Sequence, residues 1–287
     1  MKVKKIFQTA NDYPVRLKTI AQPPAQLFVR GHVDRQVWEG PSIAVVGSRK
    51  ATAYGKAVTA TLAGELAKAG ILIISGLALG VDGWAHQAAL DAGGRTVAIV
   101  ATGLDRLYPS RHRQLAERIV AQGGALITEY EPGASVQPGM FIARNRIVAA
   151  LADGVLVTEA AVKSGTLHTA RFALEQGKEV FAVPGNITSP SSAGTNNLIR
   201  SGAVPVTRSE DILHVFGWSA PRSTPRAVLG DTAAEQSIID ALQTGASDAH
   251  QLQAITKLDT SVFNQSLIML EIAGKIRPLG NNHWAVY

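Results

Sequence analysis

From about residue 41 onward, apolar positions gather into short β-branched runs separated by longer amphipathic stretches. The runs are Ile43–Val46, Ile71–Ile74, Thr96–Val100, Ala125–Thr128, Val155–Thr158 and Val180–Val183. Between them, helical spacing predicts helices over Ala53–Lys68, Val81–Asp91, Arg111–Ala121, Met140–Leu151 and Leu167–Gln176. Runs without polar alternation read as strands covered on both faces. Their alternation with helices predicts an α/β fold, a mostly parallel, doubly wound sheet. Ligands of such sheets bind beyond the carboxyl ends of the strands, so the loops there are the places to look for chemistry.

The flanks read differently. Residues 1–40, punctuated by Pro14, Pro23 and Pro24, form a lead-in expected to pack on a sheet domain of residues 41–217. Residues 218–230 (WSAPRSTPRAVLG) have the composition of a linker. Residues 231–287 offer three short helices (Ala234–Gln243, Asp248–Ile255, Ser261–Ala273) and then two short runs around Asn281-Asn282, the layout of a winged helix-turn-helix.

Charge separates these parts. The 287 residues carry a formal +6. Residues 225–287 hold four basic groups against six acidic ones, or −2, which leaves +8 for residues 1–224. A polyanion is therefore expected on the first part, and a different task for the tail. The absence of cysteine removes disulfide scaffolds, thiolate catalysis and Cys-ligated metals, and suits a reducing compartment. The N-terminal segment has no apolar stretch of signal-peptide length, and no apolar run reaches the ~18 residues of a membrane span. A soluble, cytoplasmic protein is the expectation.

Candidate chemistry sits in the loops after the predicted strands. Gly47-Ser48-Arg49 joins a strand to a helix, where backbone amides and a two-pronged guanidinium can meet a phosphate. It is not a GxGxxG dinucleotide fingerprint, and a glycine-serine turn alone is also an ordinary connection. Asp82 and His86, four apart on one helix face, read as a structural hydrogen bond. Tyr108, Arg111 and Arg113 follow another strand end; a solvated helix face accounts for the arginines, and Tyr108 leaves stacking with a base open. More specific are Phe141, Arg144, Asn145 and Arg146 on the first turns of one helix, and Lys163-Ser164-Gly165-Thr166 at the start of the next. With Thr195 and Asn196 of Gly194-Thr195-Asn196-Asn197, these turns make one rim on one sheet edge. Four cations (Arg49, Arg144, Arg146 and Lys163) are expected to converge there on phosphates. No GxxxxGK[ST] segment, carboxylate cluster or metal-type histidine cluster is present, so neither a cofactor nor a metal is called for.

These residues resemble one family. GSR at 47–49, SGLALGVDGWAHQAAL at 75–90, ATGLDRLYPSRHRQL at 101–115, ALITEYEPG at 125–133, FIARNRIVAAL at 141–151, EAAVKSGTLHTARFALEQGKEVFAVPG at 159–185 and GTNNLI at 194–199 are similar to the bacterial DNA-processing protein A family, DprA or Smf. YPVRLKTIAQPPAQLFVRG at 13–31 is similar to the segment that precedes that family's sheet domain. The resemblance implies an extended Rossmann-like domain with a small C-terminal winged helix. It also implies a non-enzymatic, homodimeric single-stranded DNA binder that protects incoming strands and helps load RecA during natural transformation. Arg49 and Lys163 match positions that grip the backbone, with Ser48, Ser164 and Gly165 as turn donors and Arg144 and Arg146 in support. Fewer than 13 residues precede the matched region, too few for the sterile-alpha-motif-like domain many members carry. An acidic tail suits a winged helix that contacts protein.

Two other readings start from the same residues. Phosphoribohydrolases of the LONELY GUY and lysine-decarboxylase-like class share the fold and carry PGGxGTxxE, whose glutamate is catalytic. Here Val162-Lys163-Ser164 replaces PGG, and Thr169 stands where the glutamate would be. A winged-helix transcription factor needs a basic recognition helix, whereas Ser261–Ala273 has Glu271 as its single charge.

Overall fold

The computed structural model describes residues 3–32, 38–218, 229–280 and 282–286. Most of the expected 218–230 linker therefore lies outside the described residues. The chain divides into two compact units, Met1–Pro221 and Arg222–Tyr287.

The first unit is built on one nine-stranded sheet: β1 (Lys4–Phe7), β2 (Gln26–Gly31), β3 (Ser42–Val46), β4 (Leu72–Ser75), β5 (Thr96–Ile99), β6 (Ala125–Thr128), β7 (Gly154–Val157), β8 (Glu179–Ala182) and β9 (Val204–Pro205). Their spatial order is β1-β2-β6-β5-β4-β3-β7-β8-β9. All pairings from β6 to β9 are parallel. Helices α1 (Val15–Lys18), α2 (Ala53–Lys68), α3 (Val81–Asp91), α4 (Arg113–Ala121), α5 (Pro138–Leu151), α6 (Thr166–Glu175), α7 (Ala193–Arg200) and α8 (Ser209–Val215) cover it.

Period-two geometry sends alternate residues of each apolar run to opposite faces. Ala44, Val46, Ile74, Val97, Val155 and Val157 pack with Ile147, Val148 and Leu151 of α5 and Ala170 and Ala173 of α6. On the other face, Ile43, Val45, Ile73, Leu156 and Phe181 meet Leu62 and Leu66 of α2 and Val81, Ala85 and Ala89 of α3. Burial on both sides is why these segments tolerate no polar alternation.

The lead-in contributes more than a cover. β1 and β2 pair with each other, and β2 with β6, in antiparallel register. Leu27 and Val29 face the α5 side while Phe28 packs among the α4 residues Ala116 and Ile119. Arg16 ties the following turn to the sheet. Its guanidinium donates to Ser42 Oγ at 2.7 Å and to Leu151 O at 2.9 Å. It also pairs with Asp153 at 2.8 Å, and Asp153 in turn accepts from the Ser42 amide at 2.9 Å.

The second unit holds α9 (Ala233–Gln243), α10 (Ala249–Thr256), α11 (Thr260–Ile272) and the antiparallel hairpin β10 (Ile276–Gly280) and β11 (His283–Val286). Thr232 caps α9 through the Glu235 amide at 3.1 Å, and Asp248 caps α10 through the His250 amide at 2.9 Å. Ile238, Leu242, Leu252, Phe263, Leu267, Leu270 and Ile276 form its core. Val262, Ile268, Met269 and Ile272 of α11 remain exposed.

Arg16→Ala removes the counter-charge of Asp153 and the donor to Ser42 Oγ and Leu151 O at the seam of lead-in and sheet. The expected cost is about 2–3 kcal/mol. Urea unfolding measures it as a lower midpoint with an unchanged slope.

Candidate functional site

Strand order reverses between β3 and β7. The chain runs outward from β3 through β4, β5 and β6, and α5 then carries it back to place β7 against the other side of β3. The turns after β3 and β7 lead to opposite sides, and the crevice between them is where such sheets bind ligands. A cleft of about 940 Å³ lies there.

The turn after β3 is fixed from both neighbours. The Ser48 amide donates to Glu159 O at 2.8 Å, and Ser48 O accepts from the Val81 amide at 3.2 Å. The Thr166 hydroxyl donates to Gly47 O at 2.7 Å, binding the β7 turn to the β3 turn. Gly80 packs flat on this junction: at φ +78° a side chain is disfavoured, and a Cβ there would stand 2.2 Å from Ser48 O. Below the turn, the buried Glu159 carboxylate accepts from the Thr52 amide at 2.9 Å and its hydroxyl at 3.2 Å, which positions the cap of α2.

Two arginines expected on the rim do other work. Arg144 is 3% exposed. Its guanidinium donates to Gly76 O at 2.6 Å and to Ile99 O, and its Nε to Asn145 Oδ1 at 3.2 Å. Burial lowers its pKa to about 10, opposed by the Asp82 carboxylate, so it stays charged at neutral pH. It forms the cleft floor and braces the ends of β4 and β5. Arg146 does not reach the cleft. It makes two 2.7 Å bonds to the Glu129 carboxylate and donates to Gln22 O at 2.9 Å. Residues two apart on a helix are turned about 200° from one another, so one helix cannot send both side chains to the same rim.

Gly47, Ser48, Arg49, Tyr108, Phe141, Asn145, Lys163, Ser164, Gly165 and Thr166 all line the cleft. Arg49 and Lys163 are exposed. Arg49 lies over the Phe141 ring, 5.3 Å from its centre, and Tyr108 meets Phe141 edge-on at 5.5 Å. Arg111, Arg113, Thr195 and Asn196 are not among the lining residues. Arg111 and Arg113 are exposed beside and within the first turn of α4. The Thr195 hydroxyl bonds Ser192 O at 3.0 Å, and the Asn196 amide holds Gly185. Both serve the loop after β8.

Lys50, Asp82, Thr169 and Ser191 also line the cleft. Lys50 directly follows the Gly47-Ser48-Arg49 motif, and that adjacency is the signal by which the sequence could have marked it. The Asp82–His86 hydrogen bond expected from their spacing is not the one formed. Asp82 instead accepts from the Gly76 amide at 3.0 Å and the Ala78 amide at 3.4 Å, closing its own loop. Burial pushes its pKa up, against the pull of Arg144 and those amides. His86 Nδ1 shares a 2.6 Å bond with Thr96 Oγ1. Its Nε2 has no partner, and burial lowers its pKa to about 3. Among the described residues, no group of three or more His, Asp or Glu is placed to hold a metal ion, and no helix is long and apolar enough to cross a membrane.

The sequence matches the family model for DNA recombination-mediator protein A over residues 4–217 and that for the DprA winged helix domain over 221–282. DNA processing protein DprA of Bacillus subtilis is 43% identical over 204 residues, 71% of this chain and 68% of that protein. The putative DprA of Mycobacterium tuberculosis H37Rv is 43% identical over 265 residues, 90% of this chain and 68% of that protein. Among solved structures, DprA from Streptococcus pneumoniae superposes with a TM-score of 0.69 at 39% identity over 74% of each chain. DNA processing protein A from Helicobacter pylori, whose structure concerns its single-stranded DNA binding mode, gives 0.66 at 33% identity over 75% of this chain and 95% of that one.

A Cβ on Gly76 would stand 2.4 Å from the Arg144 guanidinium, which cannot retreat without giving up two carbonyls. Gly76→Ala is expected to cost about 3 kcal/mol, read as a lower urea midpoint. His86 tests the pH dependence. Its folded pKa of about 3 lies below the ordinary 6.5, so between these values the unfolded chain binds a proton that the native state refuses. Stability is then lost as pH falls from about 6.5 toward 3, by up to about 1.4 kcal/mol per pH unit. His86→Gln lacks this loss, so the stability gap between it and the wild type should narrow as unfolding is measured at successively lower pH.

Proposed function

Because the chain belongs to the DNA recombination-mediator protein A family, we propose that it binds single-stranded DNA across the carboxyl edge of its sheet, with phosphates in the cleft between β3 and β7. The observation that carries this reading is a combination found in that cleft. Arg49, Lys50 and Lys163 are exposed, and among the described residues none has an ion-pair partner. They flank the glycine- and serine-rich turns 47–48 and 164–165, with Phe141 and Tyr108 beside them. Cations and amides suit a backbone, and aromatic faces suit unpaired bases, without a sequence code.

The role is binding. Thr169 lines the cleft where a phosphoribohydrolase would carry its glutamate. Among the described residues the one carboxylate that lines it, Asp82, is occupied by two backbone amides. In the cell we place the protein in the cytoplasm, as a homodimer that protects incoming single strands and helps load RecA during natural transformation. The winged helix fits the protein-contacting part of that task, since the helix that reads DNA in related modules here exposes Ile268, Met269 and Ile272 and bears only Glu271 as a charge.

Arg49→Glu and Lys163→Glu should each weaken binding to a labelled oligo(dT) at least tenfold by fluorescence anisotropy. Each should also flatten the salt dependence by about 0.7 for every phosphate no longer neutralised. Both side chains are exposed, so thermal stability should hold. Unchanged affinity in both variants would remove the cleft from consideration.

A further inference from the structure

Beside the phosphate turns, on the same carboxyl edge of the sheet, the loop from β8 to α7 presents Ile187, which at 90% is the most exposed large hydrophobic among the described residues. The loop is held on both sides. The Tyr54 hydroxyl donates to Pro184 O at 2.7 Å, and the Asn196 amide closes two 3.1 Å bonds on Gly185. Asn186 Oδ1 accepts from the Thr188 amide at 2.9 Å and its hydroxyl at 2.8 Å. The same loop returns to the cleft, where Ser191 lines the wall and the Gly194 amide donates to Ala160 O at 2.7 Å. The isoleucine side chain thus stands in water on a hydrogen-bonded loop that returns to the cleft.

We propose that Ile187 is an apolar wedge for the unstacked bases of a single strand, on the β8 side of the phosphate turns and across them from Tyr108. The proposal rests on the single-strand reading of the cleft. Sheet order runs β5-β4-β3-β7-β8, so the strand ends feeding the Tyr108 and Ile187 loops are four ladder steps apart, or about 19 Å. The cations and amide turns of β3 and β7 occupy the middle. A strand crossing this edge sets its phosphates at the centre and meets an apolar group on each flank. Isoleucine is among the residues that separate base steps when presented rigidly. Bases gripped this way must be unstacked, which favours a single strand over a duplex and oligo(dT) over the better-stacked oligo(dA). The flanking Asn186, Thr188 and Ser189 make this a point contact on a polar loop, unlike the broad apolar core of a stable protein interface.

The test uses the full chain and fluorescence anisotropy on oligo(dT) and on an abasic strand of equal length, with Ile187→Ser and Arg49→Glu measured side by side. Ile187→Ser is expected to lose about fivefold on oligo(dT), with an unchanged salt slope and no loss on the abasic strand, while Arg49→Glu loses affinity for both. Wild-type affinity of Ile187→Ser beside a weakened Arg49→Glu overturns the wedge and leaves the cleft standing. Wild-type affinity of Arg49→Glu and of Lys163→Glu alike overturns the cleft reading and the wedge with it. A drop in solution mass of Ile187→Ser by light scattering, with DNA affinity intact, assigns the isoleucine to contact between two copies and overturns the wedge as well.

Discussion

The parallel pairing of β3 with β7 joins segments more than a hundred residues apart, Ile43 to Gly154 through Val46 to Val157. Everything at the carboxyl edge follows from that pairing. It can form only because α5 brings the chain back across the sheet, with Ile147, Val148 and Leu151 buried against Ala44, Val46, Val155 and Val157. Two turns with different sequences are thereby set side by side and tied by the Ser48 amide to Glu159 O and the Thr166 hydroxyl to Gly47 O. Loosening this seam would separate Arg49 from Lys163 even if both turns kept their local shape.

The helix that makes the return also shapes what it creates. Arg144 projects from α5 to the ends of β4 and β5, where a buried guanidinium replaces solvent for two carbonyls. Asp82 stands nearby and moderates its charge. Phe141, one turn earlier, faces the mouth and lies against Arg49. Arg146, two residues further, turns to Glu129 on the far side. A single helix thus supplies an apolar surface for the core, a charged brace for the floor and an aromatic face for the mouth. The bulk excess of +8 in the first part of the chain matters less than where a few cations have no internal partner. Arg16, Arg144 and Arg146 are engaged internally.

The sequence reveals those features whose physics is periodic. Helices 53–68 and 81–91 fall on the stretches their spacing marks, and six of the seven parallel strands lie within a residue of their apolar runs, the two-residue β9 having none. β1 and β2 escape that test. β1 buries only Ile6, β2 alternates only Leu27, Phe28 and Val29 between two cores, and their antiparallel arrangement is set by tertiary contact with β6. The cleft is legible as a set of strand-end turns, because parallel topology makes their convergence obligatory. The division of labour among its arginines is legible only in part. A helical wheel separates Arg144 from Arg146, but their partners, Gly76 O and Glu129, come from strands that neighbour α5 only in the fold.

Asn196 shows where motif and geometry part. Its Gly-Thr-Asn-Asn motif reads as a turn suited to a ligand contact, yet the structure places it in α7 and commits both ends of the Asn196 amide to Gly185. A side chain satisfied in this way has little left to offer a phosphate. What it provides is a loop that does not collapse, and a loop that cannot collapse is the condition for keeping an isoleucine in water. The hydrogen bonds of Asn186 and Asn196 and the exposure of Ile187 are therefore one arrangement, and it places the cost of ordering the loop in folding, before any ligand arrives.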